Sequence, residues 1–210
     1  TLIRQMRIPE VADVVGVLLA GGMARRMGGG DKCLQQLGGR SLLAYSIDAA
    51  VPQVGPLIIN AAGEPSRFND FDLPVVADVI EGFAGPLAGV LTGLEWARDH
   101  IPDARWVVTF PTDAPFFPAD LVARLLDETN TQGADMACAR SNERTHPVFA
   151  LWPVRLAGDL RRAMEDEEMR KIDRWTARFK IVHVDWLATP NDPFFNINRP
   201  EDLAQAEALL

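Results

Sequence analysis

Between Leu19 and Lys32 the chain reads LAGGMARRMGGGDK, with glycines at 21–22 and 28–30 flanking Arg25 and Arg26. Glycine lets backbone N–H groups approach an anion in conformations closed to other residues. Arg25, Arg26 and Lys32 add charge-assisted hydrogen bonds, so the stretch has the chemistry of a phosphate cradle. Beyond it, 81 residues after Lys32, the stretch FPTDAPFF sets Asp113 between Pro111 and Pro115. The prolines stiffen the turn and fix where the carboxylate points. A hard carboxylate beside phosphates is the usual way to hold Mg²⁺, which prefers oxygen ligands and keeps several waters. Together the two stretches predict a site for a phosphorylated ligand and its cation.

Each of these residues also has a plainer reading. A glycine-rich segment can be an ordinary turn with surface arginines, and Asp beside Pro often caps a turn. Neither the Walker pattern nor G-x-G-x-x-G is present: Cys33 follows Lys32, and the glycines are wrongly spaced. Asn60 in PLIINAAG and Asp78 in LPVVAD end apolar runs, where they suit either a ligand or a strand-end turn. Asn196 and Asn198 in DPFFNINRP lie two apart and face one side of an extended chain, but they also suit Asx turns. EGFAGPLAGV carries Gly85 just before a proline-started helix, either an anion-accepting helix start or a tight turn.

What favours the chemical reading is where the elements place these stretches. Val14–Ala20, Leu57–Ala61, Leu73–Ala77, Trp106–Phe110, Asp135–Ala139, Pro147–Trp152 and Ile181–Trp186 read as strands. Ser41–Val51 reads as a helix with Ser41 as N-cap, followed by helices over Pro86–Arg98, Pro118–Thr129, Leu156–Glu167 and Pro200–Leu210. The alternation implies a three-layer α/β/α single domain, Rossmann-like, with a mostly parallel twisted sheet. An antiparallel strand is expected after about residue 140. In such a sheet, ligands bind at the carboxyl ends of strands, and residues 20–32, 111–115 and 191–199 all follow predicted strands.

The net charge of −8 argues against a nucleic-acid partner, and no apolar run reaches the roughly 20 residues of a membrane span. Against that acidic background, Arg25, Arg26, Lys32 and Arg40 with Asp31 alone leave a local positive excess. Cys33 and Cys138 are far apart, which argues against a metal knuckle or disulfide framework, and a reducing cytoplasm is expected. No Ser–His–Asp or Cys–His constellation is legible. The acid-then-base block EDEEMRKIDRWTARFK (165–180) reads as a solvated helix face.

The run L-A-G-G-x-A-R-R-M-G-x-x-D-K, Leu19 to Lys32, resembles the signature loop of the molybdenum cofactor guanylyltransferases, the MobA family. The resemblance extends from Val14 to Leu209. It implies a nucleotidyltransferase that joins GMP from Mg·GTP to molybdopterin, with residues 1–13 outside the domain. The nucleotide side would span about 14–135 and the pterin side about 136–210. By the same resemblance, Leu19, Ala20, Gly21 and Lys32 contact GTP, with Gly22, Arg25 and Arg26 in the same loop. Asp113 in P-x-D-x-P binds Mg²⁺; Asn60 and Asp78 take the guanosine part; Gly85 belongs to G-P-L-A-G. Asn196 and Asn198 lie by the metal and pterin site, His146 belongs to an H-P pair on the pterin-side strand, and Arg170 and Trp175 fall near the pterin pocket. Molybdenum-insertion and molybdoenzyme chaperone proteins would be its protein partners. Sister enzymes usually carry L-A-A-G, so Gly21–Gly22 favours the guanylyl branch. A cytidylyl or sugar-phosphate nucleotidyltransferase, or a nucleotide-binding regulator without turnover, remains open at this point.

Overall fold

Strand β1 (Val14–Leu19) divides its side chains between two cores, with Val14 and Leu18 facing one and Val15 and Val17 the other. A strand covered on both faces reads as one continuous apolar run, which is why it is legible in the sequence. The computed structural model describes residues 11–21, 30–80, 82 and 85–210. After the glycine loop, β2 (Gln36–Leu37) and β3 (Arg40–Ser41) form a small antiparallel hairpin. Its turn is Gly38–Gly39, both at positive φ, a glycine-pair signal not read as a hairpin from sequence. Helix α1 (Leu42–Ala50) starts as expected, with Ser41 Oγ accepting the Ala44 N–H at 3.1 Å.

Strands β4 (Leu57–Asn60), β5 (Val75–Val76) and β6 (Trp106–Pro111) run parallel to β1. The expected strand Leu73–Ala77 shrinks to two residues at the sheet edge, paired on one side only. Then β7 (Met136–Ser141), β8 (Arg144–Pro153) and β9 (Ile181–Trp186) complete a seven-stranded sheet of order β5-β4-β1-β6-β8-β7-β9. β8 runs antiparallel to both β6 and β7, the inserted strand expected past residue 140, and β9 returns parallel to β7.

Helices α1 and α3 (Leu121–Gln132) cover one face, and α2 (Pro86–His100), α4 (Ala157–Asp166) and α5 (Ile172–Thr176) cover the other. The architecture is the predicted three-layer single α/β domain. α3 begins later than its proline: the Pro118 carbonyl accepts the Leu121 N–H at 3.2 Å, so Pro118 sits in the turn before the helix. The 165–180 block is not one solvated face. Glu168, at positive φ, ends α4, and the short α5 then buries Ile172, Trp175 and Thr176. A terminal helix α6 (Pro200–Glu207) closes the chain on Leu37 and Leu42.

Helix α2 packs directly on the sheet at Gly89 and Gly93, one turn apart, with no room for a side chain at either. A Cβ on Gly93 would stand 2.5 Å from Val17 Cγ2 and 3.3 Å from Val107 Cγ1, both β-branched side chains fixed in buried strands. Gly93→Ala is therefore expected to destabilise the fold by about 1–3 kcal/mol of overpacking, against a helix-propensity gain of about 1 kcal/mol. Chemical denaturation checks this; equal or higher stability would show that the helix–strand contact has slack.

Candidate active site

Sheet register builds the floor of the site. Val76, Asn60, Leu19 and Pro111 are successive register partners across β5, β4, β1 and β6, so all four stand in one row at the carboxyl edge. Above that row lies a cavity of about 510 Å³ lined by Leu19, Gly21, Lys32, Asn60, Asp78, Gly85, Asp113 and Asn196 among others. That volume is in the range of small-molecule sites. Residues far apart in sequence, from the glycine loop to the 191–199 segment, thus meet at one edge of the sheet.

At the cavity's centre of charge, Lys32 Nζ lies 2.7 Å from Asp113 Oδ2 and also donates to Asn198 Oδ1. The Lys32 side chain is 14% exposed and that of Asp113 is 29%, so the pair is only partly screened by water. Main-chain links hold the partners. Thr112 Oγ1 donates to the Leu19 carbonyl at 3.1 Å, tying the Asp113 turn to β1, and the Ile197 N–H donates to the Asp113 carbonyl at 2.7 Å. The latter bond sets Asn196 against the cavity and Asn198 against Lys32.

On the opposite side, Asn60 Nδ2 donates to Asp78 Oδ1 at 2.9 Å and to the Val76 carbonyl at 3.2 Å, which fixes the Asp78 carboxylate. The Val79 N–H donates to Thr92 Oγ1 at 3.1 Å, fastening the same turn to α2. Gly85, at φ 147°, enters α2 through a conformation that L side chains rarely adopt. Gly89 sits beneath Asn60: a Cβ there would be 2.5 Å from Asn60 Oδ1 and 2.6 Å from Leu19 Cδ2.

Several expected residues are placed elsewhere. Ala20 is buried behind the lining, its N–H on the Asn60 carbonyl and its own carbonyl taking the Cys33 thiol at 3.8 Å. Gly22, Arg25 and Arg26 lie outside the described residues. Trp175 is corrected: it is fully buried against Trp152 and Phe179, with its indole N–H on Asp159, and so belongs to the α2–α4–α5 core. Arg170 is spent on the Met164 and Met169 carbonyls and does not line the cavity. Of the H-P pair, neither His146 nor Pro147 lines it; the next residue, Val148, does. Burial pushes the Cys33 and Cys138 thiols up to about 12, so neither is a thiolate nucleophile.

Sequence reading missed the tie between Asp31 and Arg67. Arg67 Nε lies 2.8 Å from Asp31 Oδ2, an ion pair not aligned as a hydrogen bond. The same guanidinium donates to the Glu64 carbonyl at 3.0 Å and to the Ala62 carbonyl, and stacks over Phe68. The residue next to Lys32 is thereby moored to the loop after β4. Because Arg67 sits in a 3₁₀ segment, Pro65–Phe71, no helical or strand periodicity pointed to it. Thr112 and Val148 were equally silent, since an ordinary hydroxyl and an ordinary apolar side chain carry no signal of where the fold puts them.

The profile of the MobA-like NTP transferase domain matches residues 16–180, most of the chain. The chain belongs to this family. It is accordingly a nucleotidyltransferase, of the same α/β fold as its relatives. A molybdenum cofactor guanylyltransferase of Rhodopseudomonas palustris (strain HaA2) is 55% identical over 193 residues, covering 92% of this chain and 90% of that protein. One of the same name from Bradyrhizobium sp. (strain ORS 278) is 53% identical over 196 residues, covering 93% and 92%. The crystal structure of molybdopterin-guanine dinucleotide biosynthesis protein A from Archaeoglobus fulgidus has the same fold, with a TM-score of 0.73, 23% identity, and coverage of 93% of this chain and 97% of that one. The MobA-like profile ends before β9, so the segment carrying Asn196 and Asn198 lies beyond it.

The packing of Gly89 yields a direct test. Gly89→Ala must displace Asn60 or Leu19, and through Asn60 the Asp78 carboxylate. The variant is expected to fold, yet to bind nucleoside triphosphate at least ~10-fold more weakly, about 1.4 kcal/mol. Isothermal calorimetry measures this, and unchanged affinity would detach Asn60 and Asp78 from the nucleotide.

Proposed function

We propose that this chain transfers GMP from Mg·GTP to the terminal phosphate of molybdopterin, forming the guanine dinucleotide and releasing pyrophosphate. The observation that carries the reading is the meeting of Lys32 and Asp113, 2.7 Å apart, in one cavity that Gly21 also lines. Relatives up to 55% identical over nine-tenths of the chain are named molybdenum cofactor guanylyltransferase, which supports GTP and molybdopterin as the two substrates.

In this reading Asn60 and Asp78 hold the nucleoside, and Leu19 and Gly21 bring the chain to the triphosphate, with Ala20 buried between them as support. Gly22, Arg25 and Arg26 belong to the same phosphate loop, and Gly85 opens the helix over it. Lys32 and Asp113 neutralise each other in the structure. A metal–triphosphate offers an anion to the first and a cation to the second, so the pair can part without leaving either charge uncompensated. Among the described residues, no group of three or more His, Cys, Asp or Glu is placed to hold a metal. The donor set is therefore one carboxylate with nearby amide oxygens and substrate phosphates, which suits Mg²⁺, a hard ion that keeps its waters. Bound there, the ion would supply charge stabilisation at the α-phosphate and the leaving pyrophosphate.

Asp113 would orient the nucleotide, Lys32 and Arg26 would balance charge developing in the transition state, and Asn196 and Asn198 would position the acceptor. The incoming phosphate monoester has a second pKa of about 6 and is already ionised near neutrality, so the chain needs no general base. What it contributes is the alignment of two polyanions. Molybdenum-insertion proteins and molybdoenzyme chaperones are the protein partners this role implies, in the cytoplasm. Among the described residues, no helix is long and apolar enough to cross a membrane.

The deciding experiment is incubation with labelled GTP, Mg²⁺ and molybdopterin. It should give the guanine dinucleotide and pyrophosphate, with CTP a poor substitute; a cytosine product instead would assign the sister activity. Asp113→Ala is expected to lower turnover at least ~100-fold, about 2.7 kcal/mol, with an unchanged circular dichroism spectrum. A near-normal rate in that variant would remove Asp113 from the mechanism. Lys32→Ala should weaken GTP more than the pterin, as equilibrium binding of each will report.

A further inference from the structure

The fold brings together three residues that sequence spacing left apart. Ser141 ends β7, His146 lies near the start of β8, and Asp192 is on the loop after β9. Ser141 Oγ lies 2.7 Å from His146 Nε2 and 2.9 and 3.0 Å from the two Asp192 oxygens. This is not a nucleophilic triad. The hydroxyl sits between the other two groups and is 1% exposed, and none of the three lines the cavity. Their connection runs elsewhere.

Asp192 Oδ1 also accepts the Phe194 N–H at 2.9 Å, and the Phe195 N–H reaches the Asp192 carbonyl at 3.1 Å, so the carboxylate folds the loop on itself. Phe194, 2% exposed, then packs its ring against His146, Phe149 and Trp186, with centroids 4.7, 4.9 and 5.5 Å away. Two residues on, Asn196 lines the cavity, Ile197 bonds to the Asp113 carbonyl, and Asn198 meets Lys32. The loop is therefore clamped at Asp192–Phe194 and again at Ile197, with the two asparagines set by those clamps. We propose that Ser141, His146 and Asp192 are positioning residues for the acceptor side of the reaction, holding Asn196 and Asn198 in place without touching substrate. The inference rests on the guanylyltransferase reading.

The hydrogen-bond logic allows one arrangement. An ionised carboxylate only accepts, so the single Ser141 proton goes to Asp192, and Oγ must then accept from a protonated His146 Nε2. The imidazole is thereby fixed as its Nε2–H tautomer. Burial lowers the His146 pKa, opposed by Asp192 and reinforced by Arg144, which is consistent with a neutral ring. A buried polar network satisfied in this way specifies one geometry, where apolar packing would tolerate several. Its position also predicts which substrate is affected. The loop stands on the β6–β8 side of the cavity, across from Asn60 and Asp78.

The test compares Ser141→Ala, Asp192→Ala and Asp192→Asn with the wild-type chain. Wild-type dinucleotide formation tests the parent reading separately. Given that activity, both alanine variants are expected to raise the acceptor KM or lower kcat by about tenfold or more, with Mg·GTP affinity within about twofold. Asp192→Asn, which keeps an acceptor for Ser141 and for the Phe194 N–H, should recover most of the loss. Imidazole ¹⁵N NMR of the wild type should show His146 protonated at Nε2 alone. Equal losses in GTP and acceptor handling, no loss at all, no rescue by asparagine, or an Nδ1–H tautomer would each overturn the proposal. Should Asp192→Ala fail to fold, Ser141→Ala carries the same comparison.

Discussion

The contact on which the site depends is the ion pair between Lys32 and Asp113. Each comes from a loop at the carboxyl edge of a central strand, and each is a charge that partial burial makes costly to leave alone. Pairing them solves the folding problem and leaves the recognition problem half solved. The pair is already neutral and in place, and a ligand carrying both signs of charge can exchange with it. The mooring of Asp31 to Arg67, the Thr112–Leu19 bond and the Ile197–Asp113 bond all bear on where those two charged atoms stand.

Helix α2 matters in a different way. Its glycines let it settle onto β1, and the missing Cβ of Gly89 leaves room for the Asn60 amide that holds Asp78 and for the Leu19 side chain. Here the shape of the site comes from side chains that are missing. The closeness is written into the spacing of Gly89 and Gly93, a single helical turn.

Much of the fold and part of the site were legible in the sequence, for identifiable reasons. Val14–Leu19 and Trp106–Pro111 are buried on both faces, so their apolar runs announce central strands, and the chemistry-bearing loops come directly after them. Asn60, Asp78 and Asp113 could be picked out because strand ends are few and polar residues there are conspicuous, and Asn196 by its spacing from Asn198; their meeting in one cavity required the fold. Trp175 misled because it was carried over from the family's pterin region, whereas the short helix after Glu168 turns it into the core. The Ser141–His146–Asp192 cluster was invisible because Asp192 comes about fifty residues after the β7–β8 hairpin that carries the other two, and only the β7–β9 pairing brings its loop back to them. Arg67 was missed because 3₁₀ segments carry no strong periodicity.

The reversed direction of β8 has a consequence for how this architecture can diversify. In an all-parallel sheet every wall of the pocket comes from a loop leaving a strand end, and changing it means rebuilding a connection. Here Val148 lines the cavity from within β8, beside the irregularity in its pairing with β7, and its carbonyl accepts the Thr109 hydroxyl at 2.7 Å, which ties that wall to β6. A new molecule could be accommodated by exchanging that one side chain, leaving the loops that carry Lys32 and Asp113 untouched.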